Sequence, residues 1–153
     1  MLQSMERDAL YPVVVPILEK LGYTVVELRS HRVRDTLHVN LVIYNPRGVS
    51  VEDCSEVYRT IFPRMQIVGD NRDLHLEVSS PGLTRNLKTS DEFAIFTGRA
   101  VRILAGDEVD WAIGKVVGAD NDAVVIQTNE GTRRVPYSEI RKAKLDLAEE
   151  AGK

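Results

Sequence analysis

The sequence has one cysteine, Cys54, one tryptophan and only three histidines. A lone cysteine forms no internal disulfide and builds no thiolate metal site. His31, His38 and His75 show no metal-ligand spacing. There is no glycine-rich phosphate loop before a helix. No apolar run approaches the length that spans a bilayer. Met1–Glu6 (MLQSME) lacks a basic stretch followed by an apolar one, so no secretory leader is expected. Charge of one sign is also missing: 20 Lys+Arg face 23 Asp+Glu, a formal net charge of −3. Nucleic-acid binding by bulk positive charge is therefore disfavoured. What remains is ordinary globular material, 153 residues with 43% hydrophobic and 28% charged, enough for one domain or two small ones. A cytoplasmic protein without membrane attachment is the expectation.

Periodicity gives the organisation. Leu10, Val13, Val14, Ile17, Leu18 and Leu21 recur at one helix face, and Gly22 follows at a natural stop. Pro12 and Pro16 imply a start or a kink. Thr24–Arg32 is β-rich, with Val25, Glu27 and Arg29 alternating against Val26 and Leu28. Thr36–Tyr44 alternates more cleanly, with Leu37, Val39, Leu41 and Ile43 on one side. Val33-Arg34-Asp35 reads as the turn between them. Ser50-Val51-Glu52-Asp53 has the form of a capping box. It opens a helix striped by Cys54, Val57, Tyr58, Ile61, Phe62 and Met65, with Pro63 near its last turn. Leu74, Leu76 and Val78 mark a third strand. The expected N-terminal domain, residues 1–82, is thus α+β in the order α-β-β-α-β, with both helices on one face of a three-stranded sheet.

Residues 83–90 are polar and follow neither period, so they read as a linker. A short helix over Asp91–Phe96 is expected, capped by Thr89 or Ser90. Beyond it, Ala100–Leu104, Trp111–Val117, Ala123–Thr128, Thr132–Pro136 and Arg141–Leu147 are short strands separated by turns, with one 3₁₀ turn over Tyr137–Ile140. Such spacing suggests a small all-β barrel over residues 91–153.

Chemistry is sparse. Cys54 lies on an apolar helix stripe, where a structural thiol is expected rather than a nucleophile. His38 and His75 fit the free face of a sheet. Glu52 and Asp53 suit a helix N-terminus. Neither the GXXG loop of a KH domain nor the aromatic strand of an RRM is present. The charges divide unevenly. Residues 1–90 carry 11 basic and 11 acidic side chains, while residues 91–153 carry 9 basic and 12 acidic. Asp107, Glu108 and Asp110 cluster in one turn, and Asp120 and Asp122 in another. They are either solvated turn residues or an edge that attracts a basic partner. Arg85, Arg99, Arg102, Arg133 and Arg134 are candidates for a few phosphate contacts. No catalytic or metal-ligating set is expected, and no cofactor.

One stretch is more specific. Leu76-Glu77-Val78-Ser79-Ser80-Pro81-Gly82-Leu83-Thr84-Arg85 resembles the signature of the bacterial ribosome maturation factor RimP family. Gly22-Tyr23, Asp53-Cys54, Gly98, Gly114, and Ile140 with Ala143 fit the same pattern. Asn86, Tyr44 and Tyr58 depart from it. The resemblance implies an SH3-like or Sm-like barrel after the α+β domain, and a non-enzymatic factor that binds the immature 30S subunit and promotes its late maturation. It further implies contact with a basic small-subunit ribosomal protein near the decoding centre, and with 16S rRNA. On that reading the protein is a monomer. Ser79, Ser80, Pro81 and Gly82 are expected as an inter-domain hinge, with glycine supplying a positive backbone angle. Two other readings stay open: a stand-alone Sm-like RNA-binding protein, and a small enzyme using Cys54 or the histidines.

Overall fold

A computed structural model describes residues 8–68 and 73–147; Met1–Glu6 lies outside them. The chain divides into two compact units between Pro81 and Gly82. In the first, α1 (Tyr11–Leu21) begins with Pro12 in its opening turn, where no backbone donor is needed. Asp8 precedes it. One carboxylate oxygen accepts the Leu10 N–H at 2.9 Å, and the other accepts the Ser30 N–H and hydroxyl. The helix entry is thereby tied to the first strand. At the far end Gly22 takes φ 93°, a left-handed conformation that suits glycine, and closes the helix.

β1 (Thr24–Val33) and β2 (Thr36–Tyr44) form an antiparallel pair. Arg34 (φ 58°) and Asp35 make the turn. A bulge between Val25 and Glu27 interrupts the pairing. The expected strict alternation in β1 is therefore wrong. The extra residue resets the register, and Val25 and Leu28 both join the core.

α2 (Val51–Val68) starts at the expected capping box. The Ser50 hydroxyl accepts the Asp53 N–H at 3.1 Å, and the Asp53 carboxylate accepts the Ser50 N–H at 2.8 Å. The helix continues through Pro63 rather than ending there. It crosses over to β3 (Asp73–Ser79), which runs parallel to β2. The sheet order is β1-β2-β3. Val14 and Leu18 of α1, Val57, Ile61 and Met65 of α2, and Leu37, Val39, Leu41 and Ile43 of β2 share one buried cluster. Both helices thus cover the same face of the sheet, and burying each such side chain contributes roughly 1.5–3 kcal/mol.

In the second unit, residues 83–90 are not the expected linker. Leu87 donates to Ala143 at 2.8 Å, while Leu145 donates to Arg85 and Leu147 to Leu83. Leu87 and Ser90 are buried. The backbone of this polar stretch is satisfied by an edge strand, a partner that leaves no period in the side chains. α3 (Asp91–Ile95) follows, and its Ser90 N-cap makes no side-chain capping bond. Instead the Glu92 carboxylate reaches back to the N–H groups of Lys88 and Thr89. Phe93 and Phe96 are fully buried.

Five strands complete the unit: β4 (Ala100–Ala105), β5 (Ala112–Ala119), β6 (Ala123–Thr128), β7 (Gly131–Pro136) and β8 (Ile140–Leu145). A 3₁₀ turn, Tyr137–Glu139, joins the last two. The sheet is antiparallel throughout, in the order β7-β6-β5-β4-β8. Val101, Ile103, Val116, Ile126, Val135 and Leu145 are buried along its inner side. Gly114 is needed sterically, because a Cβ there would lie 2.7 Å from the Gln127 carbonyl oxygen.

Candidate functional site

Cys54 is partly buried against the first core. Its thiol is pushed up, chiefly by burial and then by the neighbouring Asp53 charge. That is the wrong direction for a nucleophile. Asp53 is held below the usual carboxylate range by the Ser50 N–H, then by the Tyr23 hydroxyl and the Ser50 hydroxyl. The Ser50–Asp53 bonds belong to helix capping.

The histidines lie together. His31, His38 and His75 occupy directly opposed positions on β1, β2 and β3. Adjacent ring centroids are 5.2 Å apart in both pairs. The sequence reading placed His38 and His75 on one face; His31 completes the row. Among the described residues, no group of three or more His, Cys, Asp or Glu side chains is placed to hold a metal ion.

The charged candidates of the second unit are rearranged more deeply. Two residues expected to face opposite kinds of partner instead face each other. Glu108 forms a two-pronged ion pair with Arg133, and its carbonyl accepts from Arg141. The Glu108 carboxyl is lowered first by the Arg133 hydrogen bond, and the Arg133 guanidinium is raised by the same contact. Asp120 organises its own turn, accepting the Asp122 and Ala123 N–H groups at 2.7 and 2.8 Å. Those two bonds lower its carboxyl. The Tyr137 hydroxyl donates to the Asp120 carbonyl at 2.7 Å. Arg134 lies 3.9 Å from the Asp120 carboxylate.

Arg85 is paired inside the unit and largely withdrawn from solvent. Its Nε lies 2.6 Å from Glu92, with side-chain exposures of 10% and 1%. Arg99 is half-buried. Arg102 keeps 41% of its side chain exposed, with Nε bonded to buried Asp146 at 3.0 Å. Asp107, Asp110 and Asp122 are exposed, and none makes an ion pair among the described residues. At the expected hinge, Ser79 ends β3. Gly82 does not adopt a positive φ; its carbonyl accepts the Arg85 N–H in a turn. Conformational freedom is therefore not what glycine supplies there.

The sequence shows Lys142 and Lys144 as a basic run beside Arg141, but not their grouping with Trp111 and Lys115. Trp111, Lys115, Lys142 and Lys144 share the outer side of the sheet with Arg102. Simple strand alternation would have grouped the lysines, but the position of Trp111 beside Lys144 depends on the β4–β8 pairing.

An α+β unit with two helices over a three-stranded sheet, followed by a five-stranded antiparallel unit, can now be set against known proteins. The first unit is of the class described as the RimP N-terminal domain, whose family model matches residues 13–84. The chain is also similar to the proteins named ribosome maturation factor RimP from Borrelia turicatae, Borrelia recurrentis and Borrelia hermsii. Each is 26% identical over 145 residues, covering 95% of this chain and 99% of the relative. The chain is thus similar to the RimP family, through the family model in its first unit and through these relatives over most of its length.

Proposed function

We propose that this protein is a ribosome maturation factor. It binds the immature 30S subunit, promotes its late maturation and performs no catalysis of its own. The observation that carries this reading is the similarity, over 95% of the chain, to proteins named ribosome maturation factor. The raised Cys54 thiol agrees with it. No helix among the described residues is long and apolar enough to cross a membrane; the proposed site of action is the cytoplasm, and the proposed state a monomer.

The second unit is proposed as a small barrel of SH3-like or Sm-like kind. Its two edge strands support this, since Arg133 of β7 and Arg141 of β8 both reach Glu108. A sheet must curl for its edges to share one residue. The proposed contact for a basic small-subunit protein near the decoding centre is the acidic rim of Asp107, Asp110 and Asp122. Glu108 and Asp120 shape that rim from within. The proposed contacts for rRNA phosphates are Arg99, Arg102, Arg133 and Arg134; Arg102 keeps 41% of its side chain exposed beside Asp146, whereas Arg85 is only 10% exposed in its pair with Glu92. Ser79–Gly82 is proposed as the joint between the units.

The test is a triple variant, Asp107→Lys, Asp110→Lys and Asp122→Lys, assayed by co-sedimentation with 30S particles. Charge complementarity predicts weaker association and a loss of salt sensitivity. Unchanged co-sedimentation of the folded variant removes the acidic rim from the account.

A further inference from the structure

The outer side of the second sheet concentrates positive charge around the only tryptophan in the sequence. Arg102 on β4 stands opposite Lys144 on β8 and Ile113 on β5, so these three share a row. Lys142 stands opposite Leu104 in the next row, and Lys115 opposite Ala100 in the row on the other side. Trp111 immediately precedes β5, two residues before Ile113. The Lys144 ammonium lies 6.0 Å from the Trp111 ring centroid, within cation–π range. Ile113 and Val117 are 47% and 51% exposed. Lys115 and Lys142 are exposed as well. The acidic side chain bonded in this group is Asp146, which holds Arg102 by Nε and is itself buried. In a unit with more acidic than basic residues, this face has the opposite sign to the Asp107–Asp110 turn.

We infer that this face binds single-stranded RNA, with one base stacked on the Trp111 indole and adjoining phosphates on Lys115, Lys142, Lys144 and Arg102. The inference rests on the proposed ribosomal role, which makes small-subunit rRNA the source of the strand. A planar aromatic ring set among cations is the arrangement that holds unpaired nucleotides without strict sequence choice. A basic ribosomal protein is repelled here, and a purely apolar partner would strand four cations. Lys144 sits over the indole in the free protein. Its flexible stem lets the ammonium move to a phosphate as the base takes its place on the ring. Arg102, braced by Asp146, presents its guanidinium in a fixed position.

Because Trp111 is the only tryptophan, its fluorescence reports the site directly. The probe is a 12-nucleotide single-stranded oligoribonucleotide of mixed sequence, with a blunt RNA duplex of the same length as comparator. Titrating the full chain with the single strand is expected to quench the tryptophan emission, and the duplex to quench it far less. Three to four neutralised phosphates predict a log–log salt slope of about −2 to −3. In anisotropy measurements on labelled RNA, Trp111→Ala is expected to weaken binding on the order of 10-fold, and Trp111→Phe by clearly less. The pair Lys142→Glu and Lys144→Glu, one exposed and one half-buried on the outer side of the sheet, is expected to weaken binding and flatten the salt slope. Unchanged emission on adding the single strand overturns the inference. So does wild-type affinity in both Trp111→Ala and the double lysine variant, or quenching by 30S particles with none by RNA alone, which assigns the face to a protein. Wild-type co-sedimentation with 30S particles is read in parallel. Its absence defeats the ribosomal reading, while the oligonucleotide arm still decides the Trp111 site.

Discussion

The Arg85 Nε lies 2.6 Å from the Glu92 carboxylate, in a pair almost removed from solvent. Glu92 also accepts the backbone N–H groups of Lys88 and Thr89 at 2.8 and 3.0 Å. One carboxylate therefore holds the segment that leads from Gly82 into α3. Removing one member of such a pair leaves a buried charge without its counter-charge, at a cost of about 3–5 kcal/mol. Arg85→Met is expected to lower the urea midpoint accordingly. Arg85→Met with Glu92→Met should lose less than the two single changes combined. A single variant as stable as wild type contradicts the pair's structural role and restores Arg85 as a surface ligand.

The α2 capping box predicts a pH dependence with a definite sign. Asp53 has its carboxyl lowered by the Ser50 N–H, the Tyr23 hydroxyl and the Ser50 hydroxyl. The folded state therefore binds a proton there less readily than the unfolded state. The stabilisation is complete above the unfolded value of about 3.9 and disappears as pH falls through the lower folded value. Chemical denaturation between pH 3 and pH 7 should show wild type ahead of Asp53→Asn at neutral pH, with the gap closing in acid. A gap that widens in acid would show that the carboxylate is not the stabilising form.

Cys54 predicts slow thiol chemistry. Burial and the Asp53 charge both push its thiol up, which depletes the reactive thiolate at neutral pH. Folded protein should alkylate with iodoacetamide more slowly than glutathione does, and urea-unfolded protein at a comparable rate. Faster labelling in the folded state would revive the enzymatic reading based on this residue.

Features set by near neighbours were legible in the sequence. The Ser50–Asp53 box needs only three residues of spacing, and the Leu37–Ile43 alternation only a strand facing a core. Gly114 could be singled out, although its reason, the approach of Gln127, comes from the fold. The bulge at Val25–Glu27 was invisible because one extra residue leaves no mark on composition. Residues 83–90 misled because backbone pairing with β8 requires no apolar period, only the single peg of Leu87. The charge clusters misled for a tertiary reason. Glu108 and Arg133 are 25 residues apart and meet only once the strands have assembled. Counting charges by sequence segment could not tell a pair already neutralised inside one unit from an acid left facing solvent.

The most direct measurement of the central claim is a ribosome sedimentation profile from cells lacking this gene, with the small-subunit rRNA examined for processing. A maturation factor predicts accumulated free small subunits carrying unprocessed rRNA, reversed by restoring the wild-type gene and also by restoring Cys54→Ala. A profile indistinguishable from that of the parent cells, with fully processed rRNA, would contradict it.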